Sequence, residues 1–191
     1  MIDKEERIIM TPTEIIAQGF GIAAMTMNCL SYQQKNRRTV LLFQLIGSVL
    51  FAVNFFMLDA FAGALLNAVG ITRALVFINK ERLNARHPAW LIAYSCLYIL
   101  SYVLVFTVFG KERTVGNLIV ELLPVVGMVL TTISFRYDDA RAIRRFGLFN
   151  SPLWLAYNLF CFSIGAIICE SISMISIVVG ILRFDRQKSK V

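Results

Sequence analysis

Charged side chains are scarce in this sequence. Only 16% of its 191 residues are Asp, Glu, Lys or Arg, whereas 58% are hydrophobic, and the mean hydropathy is +0.69. Soluble domains carry about 25% charged residues, so this composition excludes a soluble domain of such length. The chain is therefore predicted to be a membrane protein.

Residue types that catalyse reactions or hold metals are also few. The single histidine, His87, falls in a predicted loop, and the four cysteines lie in predicted spans without paired spacing. Metal sites and disulfide frameworks need such spacing, and no nucleophile motif or phosphate-binding loop is present. We therefore predict no enzyme activity, no cofactor and no metal site, with the cysteines as small packing residues.

Long apolar runs are plentiful instead. A hydrocarbon layer of about 30 Å needs about 20 apolar residues in a helix. Helices are predicted because lipid leaves backbone groups unsatisfied and no alternating barrel pattern appears. The first run lacks a signal-peptide cleavage site, so we expect it to stay as a span. Seven spans are predicted, at 13 to 32, 39 to 58, 60 to 79, 90 to 109, 115 to 135, 145 to 162 and 163 to 183.

Basic residues fall mainly on one side of these spans. With Arg73 set aside inside a span, alternate sides carry 14 and four of the 19 Lys and Arg residues. Short basic loops stay cytoplasmic, which predicts a periplasmic N-terminus and a cytoplasmic C-terminus. The net charge of +7 then follows from topology and from attraction to anionic lipid headgroups on the cytoplasmic side. No nucleic-acid partner is predicted, and the oligomeric state stays open.

The first three spans resemble the last three. The stretch "AAMTMNCLS" at 23 to 31 aligns with "VGMVLTTIS" at 126 to 134, and "LFAVNFF" at 50 to 56 aligns with "WLAYNLF" at 154 to 160. Span four has no counterpart, and one extra crossing between two copies makes them parallel. The predicted fold class is an all-α membrane protein with seven transmembrane helices in a 3+1+3 parallel-repeat arrangement.

This repeat divides the chain into five parts. They are a polar N-terminal segment, a first three-helix bundle, a linker helix region, a second three-helix bundle and a basic tail, at 1–12, 13–79, 80–112, 113–183 and 184–191. The two bundles should superpose about an axis close to the membrane normal.

The stretch "SYQQKNRRTVLLFQLIGSVLFAVNFFMLDAFAGALLNAVGITRALVF" at 31 to 77 resembles the bacterial inner-membrane YgjV family. The resemblance extends over nearly all of the chain from about Thr11. It implies the bacterial inner membrane and an architecture similar to SWEET and PQ-loop transporters, but no assigned reaction. Sugar transporters of that group use an asparagine in the third helix of each bundle. Here Asn67 matches, its repeat partner is Cys169, and no Pro-Gln pair is present, so a sugar is not predicted.

Polar residues inside the apolar spans are the candidate site. A charge at the middle of a membrane helix costs on the order of 3 kcal/mol, which makes Glu170 the strongest anomaly; Ser173 and Ser176 continue its side of the helix. The candidate substrate-binding residues are Asn54, Asn67, Trp154, Asn158 and Glu170. Candidate gating or supporting residues are Arg73, Pro124 and Pro152.

Simpler interpretations stand beside these. Asp59 is expected to cap the hairpin between spans two and three, and Glu121 to be exposed at the interface. Asn67 fits a small-residue packing face. Arg73 is close enough to the cytoplasmic end to reach it by snorkelling. Asn54 and its repeat partner are expected to face the axis between the bundles if the protein is a transporter.

Three functions remain open from the sequence. The first is a facilitator or transporter of a small solute, with a site between the two bundles. The alternative is a non-transporting membrane protein of the same fold, with a lipid-binding, scaffolding or receptor-like role. A membrane enzyme or redox protein is a distant third.

Overall fold

The computed structural model describes residues 11–58, 61–160 and 164–185, without the side chains at 61–63, 158 and 164–166. These residues form seven α-helices joined by short connections. They are α1 (Pro12–Tyr32), α2 (Arg37–Met57), α3 (Phe61–Ile78), α4 (Pro88–Thr107), α5 (Val115–Arg136), α6 (Ala140–Phe160) and α7 (Ile164–Phe184). The all-helical prediction is confirmed. The expected cap Asp59 lies outside the described residues.

Four of the helices are long and apolar enough to cross a membrane. These are α2, α4, α5 and the part of α7 from Ile167 to Phe184. Large apolar side chains also stand on the outer surface of the bundle, including Phe56, Phe149 and Ile175, each more than 60% exposed. Such surfaces are typical of membrane contact, so the prediction of a membrane protein is confirmed.

Polar side chains fix where several helices begin. Thr11 and Glu14 form a capping box at α1, in which each satisfies a backbone N–H of the first turn. His87, which was predicted in a loop, is the N-cap of α4, and its Nδ1 accepts from the Ala89 backbone N–H at 3.2 Å.

Helix α6 begins earlier than predicted, at Ala140 instead of residue 145. The Asp139 carboxylate accepts from the Arg141 backbone N–H at 3.0 Å, which satisfies a donor of the first turn. Arg144 is then only 2% exposed and bonds to the connection after α1 and to Asp185. Residues 140–145 therefore form the first turns of α6 and not a loop, because the charge of Arg144 has partners in Asp185 and the Gln34 carbonyl.

The helices pack in two rows. In the first row α2 lies between α1 and α3, and in the second row α6 lies between α5 and α7. Across the rows α1 packs against α7, α2 approaches α6 and α3 approaches α5, while α4 lies beside α3 and α5. Small residues permit the closest approaches: a Cβ on Gly180 of α7 would stand 2.4 Å from the Tyr32 carbonyl oxygen of α1.

One end of the bundle carries most of the basic residues, and we call it the basic end. Helices α1, α3, α5 and α7 end there, and α2, α4 and α6 begin there. Arg37 donates to the carbonyl oxygens of Phe77 and Phe135 at 3.1 and 2.6 Å. The buried Lys80 donates to the Arg136 carbonyl and pairs with Asp138. Much of the core lies behind these contacts, including Val40, Leu41, Phe77, Phe135, Ile143 and Ile177.

Candidate functional site

Arg73 of α3 is buried inside the bundle, with 7% of the residue exposed. Its Nη1 donates to the Tyr98 hydroxyl at 3.1 Å and to the Met128 carbonyl at 3.3 Å. The guanidinium also lies 4.9 Å from the centre of the Phe135 ring, a cation–π contact. The snorkelling interpretation is wrong for this structure, because the guanidinium is held by α4 and α5 in the interior.

The described partners of Arg73 are all uncharged. In the part of the chain that the structure describes, Nε is buried without a hydrogen-bond partner, and every hydrogen bond of the side chain comes from Nη1. The Tyr98 hydroxyl is itself bonded to Thr132 at 2.9 Å, and both residues are fully buried. One edge of the guanidinium is thus fixed by neutral groups, while neither Nε nor Nη2 forms a hydrogen bond with a described residue.

Glu170 lies on α7 and is partly buried. The nearby Ser151 hydroxyl of α6 faces this carboxylate, and Ser151 is 3% exposed. Among the residues described, no cation forms a salt bridge with Glu170. The bundle therefore contains a carboxylate and a guanidinium that do not pair with each other.

Arg73 and Glu170 also differ in their distance from the basic end of the bundle. Arg73 is five residues before Ile78 and Glu170 is 14 before Phe184, which places them about 8 and 21 Å from the basic end at 1.5 Å per residue. The charges therefore occupy different depths.

Ser173 and Ser176 were expected to continue the side of α7 that carries Glu170, and in the structure both face α1. The Ser176 hydroxyl donates to the Cys29 carbonyl at 2.7 Å, and the Gln33 amide donates to the Ser176 carbonyl at 2.6 Å. Ser173 contacts the Cys29 sulfur at 3.7 Å. Both serines hold α7 against α1 instead of lining an open space.

Asn54 is buried in the interface between α1 and α2. Its amide donates to the Ala17 carbonyl at 2.7 Å, and it lies against Gly21. The expectation that Asn54 faces the axis between the bundles does not match this contact. An amide inside an apolar bundle needs an acceptor, and the small residues of α1 bring a backbone carbonyl within reach. The side chain of Asn158 lies outside the described residues.

The remaining candidates are spread over three helices. Asn67 on α3 is partly buried and has an interaction partner. Trp154 on α6 faces α5 at Gly127 and meets Tyr157 edge to face at 6.0 Å. Pro152 is exposed on α6, so nothing in its setting indicates a gate.

Pro124 and Glu121 border a small cavity of about 20 Å³ between α3, α4 and α5, which is room for about one water molecule. Glu121 is 8% exposed and forms an ion pair with Lys111 of the preceding connection. The expected interfacial exposure of Glu121 is therefore wrong, because Lys111 supplies the partner that permits burial.

Two polar residues of the interior were not singled out from the sequence. Tyr98 accepts a hydrogen bond from Arg73, and Asn150 has a buried Oδ1 without a partner in the described part of the chain. Asn150 and Ser151 stand together in "FNSPLW", a polar pair within an apolar run that could have been noticed. Among the residues described, no group of His, Cys, Asp and Glu could hold a metal ion.

Long apolar helices with exposed apolar faces and inward-turned charges define a multi-pass membrane protein of the all-α class. A family model described as a bacterial inner membrane protein, Imp-YgjV, matches residues 15–188, so the chain belongs to the YgjV family. The inner membrane protein YgjV of Escherichia coli (strain K12) is 24% identical over 178 residues, covering 92% of this chain and 87% of that protein. No solved structure matches significantly. The predicted family and the inner-membrane, multi-pass localisation are confirmed.

Proposed function

We propose that this protein is a facilitator or transporter that carries a small solute across the inner membrane through the interior of its helix bundle. The observation that carries the proposal is the presence of two ionisable side chains in the interior, Arg73 and Glu170, neither of which forms an ion pair with a described residue. Each costs on the order of 3 kcal/mol to place in a membrane helix. A side chain with so high an insertion cost is expected in a membrane helix where it binds a solute or an ion.

The proposal includes seven membrane crossings in a 3+1+3 parallel repeat. The two rows of helices support it, since a half turn about an axis along the bundle would exchange α1 with α5, α2 with α6 and α3 with α7. The same turn preserves the contacts of α1 with α7 and of α3 with α5. Arg73 and Glu170 then lie on the third helix of each repeat.

We further propose that the basic end faces the cytoplasm. The basic connections at this end are short, and short connections rich in Lys and Arg stay on the cytoplasmic side. Anionic lipid headgroups would be the surrounding partners of this end.

The test is solute uptake by proteoliposomes that contain the purified protein, compared with empty liposomes by mass spectrometry of a metabolite mixture. Glu170→Gln and Arg73→Lys should reduce the uptake while the yield of folded protein is preserved. Ser171→Ala is the matched control, because Ser171 is next to Glu170 but exposed on the outer face of α7. Absence of uptake by folded wild type, or equal uptake by wild type and the two site variants, would refute the proposal.

The second candidate is a non-transporting membrane protein. It is favoured by Asn54 and Ser176, whose side chains hydrogen-bond to carbonyls of α1 and so act as packing groups. In that case Glu170→Gln and Arg73→Lys should change only the stability of the folded protein. The uptake experiment separates the two candidates.

A further inference from the structure

We infer that the solute carries an anionic oxygen group, a carboxylate or a phosphate, which binds the unused edge of Arg73. This inference rests on the proposed function and names the chemical class of the solute. Guanidinium groups bind such anions through two parallel N–H···O bonds, and the Nε edge of Arg73 makes no hydrogen bond within the described residues.

The opposite edge of the guanidinium is held in place. Nη1 is bonded to Tyr98 and Met128, and the Phe135 ring covers one face. Thr132 in turn fixes the Tyr98 hydroxyl. The side chain therefore has its conformational freedom reduced before an anion arrives, which lowers the entropy cost of binding.

Charge balance points to the same class of ligand. Every described partner of Arg73 is neutral and the charged side chain is buried, so no described residue compensates its positive charge. A buried charge without a counter-charge is costly. Glu170 does not supply it, because no ion pair between Glu170 and Arg73 is formed in the described part of the chain. An anionic solute would supply the missing charge.

The test is isothermal titration calorimetry of the full chain in phospholipid-free detergent at constant chloride concentration. Inorganic phosphate and acetate are the two anionic probes, and acetamide is the neutral probe. At least one anion should bind saturably at one site, and acetamide should not bind. Arg73→Lys should weaken that binding at least about tenfold, since Lys keeps the charge but loses the paired donors, and Arg73→Gln should abolish it.

Arg145→Gln is the control, because it removes one positive charge from an exposed position at the basic end. Its anion affinity should equal that of the wild type. Failure of both anions to bind, equal binding by Arg73→Lys and wild type, or loss of binding in Arg145→Gln would each overturn the inference. If Arg73→Gln does not fold, Arg73→Lys decides. Uptake of neutral solutes alone would support the transport proposal and refute the anionic solute. Anion binding at Arg73 without any uptake would support the anion site and refute the transport proposal.

Discussion

Removal of one partner from the ion pair between Arg144 and Asp185 should destabilise the protein strongly. The two side chains are 2% and 4% exposed. Arg144 donates from both Nε and Nη2 to the carboxylate, with Nε at 3.2 Å, and its Nη1 donates to the Gln34 carbonyl at 2.9 Å. Because the donors of Arg144 are already engaged, a variant without the Asp185 charge leaves a buried cation uncompensated.

The magnitude follows from this geometry. Two unit charges at such a separation interact by about 5 kcal/mol at an effective dielectric constant of about 20, and breaking one side of a buried pair costs roughly 3–5 kcal/mol. Asp185→Asn should therefore lower the melting temperature in detergent by roughly 6–20 °C, taking about 2–4 °C per kcal/mol for a chain of this size.

A double variant separates charge from shape. Arg144→Met combined with Asp185→Leu removes both charges and should recover most of the lost stability, because well-packed apolar replacements of buried pairs are often neutral. Arg145→Gln, at an exposed neighbouring position, should have little effect. The reasoning fails if the melting temperatures of Asp185→Asn and Arg145→Gln differ by less than about 2 °C. Such a difference corresponds to about 1 kcal/mol or less in the free energy of unfolding.

Three further predictions concern packing, pH and topology. Gly180→Ala should destabilise the folded protein by about 1–3 kcal/mol, because the new Cβ would meet the Tyr32 backbone oxygen. Gly19→Ala is the control and should not destabilise the protein, since nothing lies within 4 Å of that position. Equal melting temperatures of the two variants would contradict this prediction. The hydrogen bond from Lys80 lowers the pKa of Asp138 in the folded state below its ordinary value of 3.8. The ionised Asp138 therefore stabilises the fold above pH 3.8, and this stabilisation is lost as the pH falls through the lower folded-state pKa. The difference in melting temperature between wild type and Asp138→Asn should shrink below about pH 4, and a constant difference down to about pH 2 would contradict this prediction. A C-terminal alkaline phosphatase fusion should be inactive, whereas an active one would reverse the proposed orientation.

The helices could be predicted closely because their signal is local. Apolar runs of about 20 residues mark membrane spans whatever their neighbours are, and the predicted bounds of α1 and α4 agree with the structure to within two residues. Helix α6 departs furthest, because Arg144 looks like a loop residue until Asp185 and the Gln34 carbonyl are placed beside it.

The partners of the polar residues could not be predicted, because they depend on which helices are neighbours. From the sequence, the Arg73 side chain is close enough to the cytoplasmic end of its helix to reach it. In the structure it instead donates hydrogen bonds to Tyr98 of α4 and to the Met128 carbonyl of α5. Asn54 was matched to its repeat counterpart by position, but its orientation is set by the small residues of α1. Sequence spacing places a side chain on a helix face and does not say which helix covers that face.

The distribution of contacts between the two rows bears on how the proposed transporter would open. Hydrogen bonds that join the rows cluster at the basic end, from Arg37 to the Phe135 carbonyl, from Lys80 to the Arg136 carbonyl and from Arg144 to the Gln34 carbonyl. Bonds of this kind contribute about 1 kcal/mol each, and up to about 3 when the donor is charged, so their sum is comparable with the few kcal/mol by which a ligand shifts a two-state equilibrium. The stronger Arg144–Asp185 pair lies within the second row and can stay intact while the rows separate. If the protein is the transporter proposed above, opening at the basic end requires the first row to leave these carbonyl contacts and the Lys80–Asp138 ion pair, whose carboxylate is 66% exposed, while the buried Arg144–Asp185 pair is kept.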